Sequence, residues 1–283
     1  MRLPQVFSLA LLASFLLVGC GGTTGPDDDN GNADSGEWRG DIAQGDVVAI
    51  TGVSGPILAA FTSGNETVVR WTKTGNASQF SLVSIDIVED AAGVAIVADY
   101  PEGEIDVDVT FEAEVPTGVD FAGTVVSGQI VGDGLASDVL ATTVSGNVTI
   151  ATTGDAAVAV VSGNVDAVTG GDAVVAVVSG NVNIVAGGVA EAGVVSGIVD
   201  AVIGLADWGR DLNFEVQSGD LSVEVPANTN AEVAATVLSG TITSDFPLSG
   251  TPNNQQGTLG SGGPTLMLLV ESGDILLTAG PDA

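Results

Sequence analysis

The sequence predicts an all-β fold: a parallel β-solenoid (β-helix) of about 17–22-residue coils, preceded by a β-strand meander that caps or joins it. Three observations carry that expectation. The phrase Val126-Ser127-Gly128 returns as Val144-Ser145-Gly146, Val161-Ser162-Gly163, Val178-Ser179-Gly180 and Val195-Ser196-Gly197, with serines 18, 17, 17 and 17 residues apart. Self-similarity at a fixed period marks a stack of like units. Between the phrases lie short runs rich in Val, Ile and Ala, bounded by Gly, Ser, Asn and Thr, the composition of strands and turns. Upstream, residues 104–115 alternate polar and apolar at period 2, as a strand with one buried face does.

The chain opens with a short basic start, Met1-Arg2-Leu3, and an apolar run from Val6 to Val18 broken only by Ser8 and Ser14. That run is too short to span a bilayer as a helix of ~20 residues. Leu17-Val18-Gly19-Cys20 follows. This resembles a bacterial lipoprotein signal with its lipobox, in which residues 1–19 are the signal peptide and Cys20 becomes the lipidated N-terminus. Gly21, rather than Asp, follows Cys20. By resemblance to Gram-negative lipoprotein sorting, that implies the outer membrane if the cell has one. The expected location is the cell envelope, lipid-anchored, facing periplasm or cell surface. The expected first partner is therefore the membrane, reached through acyl chains contributing ~0.8 kcal/mol per buried CH₂.

Composition excludes much chemistry. The chain has no histidine and one cysteine, Cys20, so Ser-His-Asp and Cys-His catalysis, the usual zinc sites and an intrachain disulfide all lack parts. No catalytic residue is expected, and no enzyme. Past Cys20 only Arg39, Arg70, Lys73 and Arg210 stand against 36 Asp and Glu, and the whole chain carries a formal charge of −31. Nucleic acid needs clustered Lys and Arg to neutralise phosphates, so it is not an expected partner. Divalent cations suit such a surface better.

Residues 20–40 read as a lipidated, flexible, acidic tether, because Gly21 to Glu37 holds no large apolar residue. One metal-like pattern lies inside it. With Gly31 as position 6 of an EF-hand-type loop, Asp28, Asn30 and Glu37 fall at positions 3, 5 and 12. Position 1 then falls on Pro26, and no flanking helices are expected, so a solvated linker fits better than a Ca²⁺ loop.

The folded part is expected to begin near Asp41, with an N-terminal β-strand region over 41–120. Val47–Thr51, Thr67–Trp71, Ser81–Val88 and Gly93–Ala98 read as strands. The alternating stretch then places Ile105, Val107, Val109, Phe111, Ala113 and Val115 inside and Glu104, Asp106, Asp108, Glu112 and Glu114 outside. Those carboxylates are a candidate binding or Ca²⁺-bridged surface. Carboxylates in a row do not converge on one ion, however, so a solvated face that discourages edge pairing fits better.

Pro116-Thr117-Gly118 turns the chain into the repeats, expected over 121–283. Around Ser162, Ala156–Val161 reads as one strand, Ser162-Gly163-Asn164 as a turn, Val165–Val168 as a second strand and Thr169–Asp172 as a second turn. Stacking such units puts like residues about 4.8 Å apart. Asn147, Asn164 and Asn181 are then expected as an amide stack, and Asp138, Asp155 and Asp172 as a solvated turn column. Ala156–Val161 is apolar on both faces, so another layer or a partner is expected to cover it. Arg210 with Trp208 and Asp211 reads as a local ion pair beside an aromatic plug, and Thr251–Pro264 as a surface loop.

The recurring Val-Ser-Gly-(Asn/Asp)-(Val/Ile/Leu) unit resembles the bacterial putative-adhesin family, β-strand-repeat domains of unknown function related to autotransporter-adhesin head domains. The order also matches over roughly Val47 to Leu277: an early strand region, Asp99-Tyr100-Pro101, Val115-Pro116-Thr117-Gly118, then late units such as Leu238-Ser239-Gly240-Thr241-Ile242 and Glu271-Ser272-Gly273-Asp274-Ile275. The resemblance implies an envelope-exposed β-helical domain with no defined ligand. The expected function is non-enzymatic binding of an envelope component, cell surface, glycan or partner protein. A self-assembling structural module, homo-oligomeric through the apolar Ala156–Val178 face, and a carbohydrate-active β-helix are the alternatives.

Overall fold

Short β-branched runs closed by glycine turns become strands here, and a computed structural model describes them over residues 35–283. In chain order they are β1 (Ser35–Gly40), β2 (Val47–Ser54), β3 (Ile57–Thr62), β4 (Thr67–Gly75), β5 (Ser84–Asp90), β6 (Gly93–Asp99) and β7 (Val107–Pro116). There follow β8 (Asp120–Ser127), β9 (Ile130–Leu135), β10 (Val139–Ser145), β11 (Val148–Thr152), β12 (Ala156–Ser162), β13 (Val165–Thr169), β14 (Ala173–Ser179), β15 (Val182–Ala186), β16 (Ala190–Ser196) and β17 (Val199–Ile203). The last are β18 (Leu212–Ser218), β19 (Leu221–Pro226), β20 (Ala231–Ser239), β21 (Ile242–Ser244), β22 (Ser249–Thr251), β23 (Asn254–Leu259), β24 (Thr265–Ser272) and β25 (Ile275–Gly280). A 3₁₀ turn, Ala77–Leu82, precedes β5, which starts later than the expected Ser81.

The strands form two sheets of 12 and 13 strands, and from β6 to β21 consecutive strands along the chain alternate between them. In the middle every pairing is parallel and in register at 17 residues: Ala156 lies beside Ala173, and Val165 beside Val182. The 18-residue step between Ser127 and Ser145 is absorbed by a bulge. Ile150 pairs with Gly132 but Thr152 with Leu135, so Asp133 and Gly134 together face Ala151. The inner faces supply the core, with Ala156, Val158 and Val160 of β12 and Val165 and Ala167 of β13 all at most 3% exposed. Small and β-branched residues suit two sheets about 10 Å apart.

Glycine at the phrase is a steric requirement. Gly128, Gly146, Gly163, Gly180 and Gly197 have φ between 145° and 154°, and a Cβ on Gly163 would run into the carbonyl oxygen of Gly146. The same approach recurs at Gly219, Gly273 and Gly240. Polar ladders bracket this column. Asn164 N–H donates to Asn147 Oδ1 and Asn181 N–H to Asn164 Oδ1, both at 2.9 Å. The asparagines therefore do not form an amide-to-amide stack; each side chain instead takes the backbone N–H of the next unit. At the opposite turn Asp155 N–H donates to Asp138 Oδ1 at 2.9 Å and Asp172 N–H to Asp155 Oδ1 at 2.8 Å. The aspartates are thus structural acceptors.

The order in space departs from the order in sequence at both ends. The 13-stranded sheet runs β18-β24-β20 and the 12-stranded sheet β19-β25-β21, so the last pair of strands is inserted inside the pair that precedes it. At the other end β2 and β3 lie beside β8 and β9, while β6 and β7 lie outside them. Val53-Ser54-Gly55 thereby joins the column, with Ser54 beside Ser127 and Gly55 N–H donating to Ser127 O at 3.0 Å. The parallel stack thus takes in β2 and β3, which lie within residues 41–120. Its antiparallel parts are the covers, β1 and β4 on β7, β5 on β6, and the β22–β23 hairpin on β20. Covered edges cannot pair with another chain. Two further expectations change. Residues 35–40 of the supposed tether are β1, and much of Thr251–Pro264 is the β22–β23 hairpin.

The two columns differ in what each residue does, and substitution separates them. Gly163→Ala is expected to cost roughly 2–4 kcal/mol, because the added methyl meets backbone that cannot yield. Asn164→Ala removes one ladder bond and is expected to cost about 1 kcal/mol. Urea unfolding midpoints of the two variants against the parent measure both, and equal losses would contradict the steric account.

Candidate functional site

The acidic stretch is divided by the fold. Strand β7 begins at Val107, later than expected, so Glu104 and Asp106 lie in the turn before it. Their backbone braces the 3₁₀ turn: Gln79 Nε2 donates to Glu104 O at 3.4 Å and Asp106 N–H to Gln79 Oε1 at 2.9 Å. Within β7 the alternation holds, with Val107, Val109, Phe111, Ala113 and Val115 buried. The strand is interior, between β4 and β3, so its carboxylates do not guard an edge. Asp108 accepts the hydroxyl of Ser54, and Glu114 accepts Arg70 Nη1 at 2.6 Å. Glu112 sits opposite Arg70 in the ladder. The five acids do not converge.

Of the calcium-loop candidates, Asp28 and Asn30 lie outside the described residues, as do Cys20 and the lipobox. Glu37 is described, and it is committed elsewhere: Arg39 Nε lies 2.6 Å from its Oε1 and Arg70 Nε 2.7 Å from its Oε2. The Arg39 guanidinium bonded to it, with Arg70 beside it, holds its carboxyl below the usual carboxylate range. A carboxylate fixed on β1 by two arginines is not a free ligand. Among the described residues no group of three or more His, Cys, Asp or Glu is placed to hold a metal ion.

The cations stitch the fold. Arg39 also reaches Glu66 at 3.1 Å, so Glu66, Arg39, Glu37, Arg70 and Glu114 form one chain of ion pairs across β1, β4 and β7. Lys73 donates to Phe80 O at 3.0 Å and Val83 O at 2.7 Å, holding the 3₁₀ turn, and burial lowers its pKa. Arg210 bridges Glu191 and Asp172, not the expected Asp211, whose carboxylate instead takes Thr265 N–H at 2.7 Å. Trp208 beside it is 3% exposed and fills the longer turn between β17 and β18 as an aromatic plug. The shallow dent there, of about 290 Å³, is lined by Asp172, Val189, Leu205, Trp208, Gly209 and Arg210.

The outer faces of the two sheets differ in kind. On the 12-stranded sheet the outward positions include Glu112, Asp133, Asp166, Asn183, Asp200 and Glu224, with Asn183 Nδ2 donating to Asp166 Oδ1 at 2.9 Å. On the 13-stranded sheet the outward positions of β2 are Val47, Ala49, Thr51 and Val53, and those of β8 are Asp120, Ala122, Thr124 and Val126. Those of β10 are Leu140, Thr142 and Val144, of β12 Ala157, Ala159 and Val161, and of β14 Val174, Ala176 and Val178. Of these positions only Asp120, at the start of β8 beside Val47, is charged, in a chain of net charge −31. The first valine of each Val-Ser-Gly phrase stands in one outward column here, with Val126 48%, Val144 39% and Val195 39% exposed. β12 and β14 touch only their sheet neighbours and the strands opposite, so no described element covers this face. Sequence reasoning located the doubly apolar strand but not the extent of the surface, because which residues share a face across five strands depends on register.

No family model matches the chain, and no curated protein matches it. Solved structures do. One described as a "putative adhesin" from Bacteroides fragilis is 12% identical, covers 87% of this chain and 97% of its own, and has a TM-score of 0.45. A "putative lipid binding protein" from Parabacteroides distasonis is 11% identical over 87% of this chain and 97% of its own, with a TM-score of 0.42. A "putative cell adhesion protein" from Clostridium sporogenes is 8% identical over 87% and 100%, with a TM-score of 0.28. Those scores describe a loose likeness in backbone course.

Tyr100, the one tyrosine in the chain, gives the N-terminal region a pH signature. Its hydroxyl donates to Val107 O at 3.0 Å, and burial, with the Asp108 charge adding to it, pushes its pKa up to about 12. The ordinary value is 10.0. The folded state therefore holds this proton more tightly than the unfolded chain, so its contribution to stability is whole below about pH 10 and is lost as pH rises towards 12. Ultraviolet titration of the tyrosinate should show a midpoint well above 10 in the folded chain and an ordinary one in urea. Tyr100→Phe should flatten the alkaline loss of stability between pH 10 and 12.

Proposed function

We propose that this is a non-enzymatic, lipid-anchored protein of the cell envelope whose two-sheet stack is an adhesin-like β-solenoid that binds a macromolecular partner. One observation carries the binding reading: the outer face of the 13-stranded sheet, running from β2 to β14 and uncharged apart from Asp120 at its edge, in a chain of net charge −31. Covering that face desolvates one carboxylate at its edge, Asp120, whereas covering the opposite sheet desolvates several. An exposed contiguous apolar surface of this breadth marks an interaction site. The anchor reading rests on Leu17-Val18-Gly19-Cys20 and the apolar run before it. The location that follows is the outer membrane where the cell has one, on its periplasmic or outer side.

The carbohydrate-active alternative has less support. Sugar hydrolysis uses two carboxylates at a set separation and aromatics that stack on the ring. Trp208 is 3% exposed, and the carboxylates of β7 are spread along the strand or tied to Arg70.

Two measurements test the proposal. Cys20→Ala is expected to abolish incorporation of labelled palmitate and to move the protein out of the membrane fraction. Val161→Asp, on the uncharged face, is expected to reduce capture of envelope material at least about tenfold, the equivalent of ~1.4 kcal/mol. Asp166→Asn, on the opposite sheet, is expected to leave capture unchanged. Equal capture by all three chains would remove the face from consideration.

A further inference from the structure

We propose that the occupant of the uncharged face is a second copy of this chain, packed face to face over β2, β8, β10, β12 and β14. This rests on the reading above that the face is the binding surface.

Charge is the first ground. Two copies that each carry −31 repel wherever their carboxylates approach, and the 12-stranded sheet presents carboxylates along its length. The uncharged face is where like can meet like without that cost. Its acids lie at its border: Asp120, Asp138 and Asp155 stand at the starts of β8, β10 and β12, so the centre of the face is left without charge. Glu191, the carboxylate on the next strand, β16, is bound by Arg210 and its side chain is 15% exposed. A partner selected by charge complementarity would find charge only at the edge of the face, and a second copy requires none at its centre.

Shape and area agree. Sheets faced with Ala, Val and Thr pack flat on one another about 10 Å apart. The same patch on both copies gives a closed two-fold contact, the commonest form of homo-oligomer. Five strands about 4.8 Å apart, with outward positions extending roughly 20 Å along each, make a face of about 24 Å by 20 Å. That is roughly 500 Å² per copy and about 1,000 Å² for the pair, the size at which a specific interface begins. The outward valine column would lie within this contact, so the first residue of the repeated phrase would have a role that neither turn geometry nor the core assigns to it.

Crosslinking of the full chain tests this. The parent has a single cysteine, Cys20, so Ala159→Cys adds one thiol at the centre of the face and Asp166→Cys adds one on the opposite sheet. A bis-maleimide reaching about 10 Å should give a product of twice the chain mass from Ala159→Cys, and not from Asp166→Cys or the parent. The product should fall at least about tenfold when Val144→Asp is added, and rise with ionic strength as salt screens the remaining repulsion. Should Val144→Asp fail to fold by circular dichroism, Thr142→Asp at a half-exposed position serves instead. A product of a different mass in envelope extract would overturn the second copy while leaving the face as a binding surface. So would protection of Ala159→Cys from maleimide that appears only with phospholipid vesicles. Labelling of Ala159→Cys as fast as Asp166→Cys under all conditions would overturn both readings.

Discussion

The fold depends on one close approach, repeated. At each Ser-Gly turn a glycine Cα lies against the carbonyl oxygen of the glycine in the neighbouring unit, where no side chain fits. That approach locks each unit to the next without slippage, because a shift of one residue would drive a serine or asparagine Cβ into backbone. In-register stacking then produces the rest. Asn and Asp side chains reach the backbone N–H one unit on, the inner faces align into a continuous core, and the outer faces align into columns of like residues. Parallel strands buried on one side between flanking neighbours keep every interior N–H and C=O paired.

Few basic residues serve this acidic chain, and each described one is used near a place where the repeat ends or breaks. Arg39 and Arg70 tie the antiparallel cover β1–β4 to β7, Lys73 holds the 3₁₀ turn, and Arg210 closes the enlarged turn at Trp208. The pairs of Arg39 and Arg70 are solvent-exposed and each adds little free energy, while Glu191 beneath Arg210 is 15% exposed. Their effect is local: they neutralise carboxylates where strands must be brought together outside the 17-residue register. The middle of the stack needs no such help, and there one sheet presents carboxylates to solvent while the outward positions of β10, β12 and β14 on the other carry none.

The insertions at the two ends have a common consequence. At one end β24 and β25 lie between β18–β19 and β20–β21, and at the other β2 and β3 lie between β8–β9 and β6–β7, so the chain tethers β20–β21 and β6–β7 to the pair beyond their own neighbour. Repeat stacks otherwise fray from their ends, because terminal units contact one neighbour only. With β1–β4, β5 and the β22–β23 hairpin laid antiparallel over the outermost strands, three of the four sheet ends are covered, and the fourth is the three-residue strand β21.

The repeat unit was legible in the sequence to within a residue: strand over Ala156–Ser162, turn at Gly163, second strand from Val165. Period and turn chemistry are local, and a 17-residue spacing with glycine at a fixed place permits few alternatives. The role of Glu37 was not legible, because Arg70 is brought to it by the pairing of β1 with β4, and a loop pattern carries no information about pairing. The sixth early phrase, Val53-Ser54-Gly55, was present in the chain yet 73 residues before Ser127, too far to read as part of a 17-residue series. The order of units at both ends, and the continuity of an uncharged face over five strands, were decided by tertiary structure. Like units can stack in any order that closes the ladders; which ones adjoin is settled by which edges remain unpaired after the chain has turned back on itself.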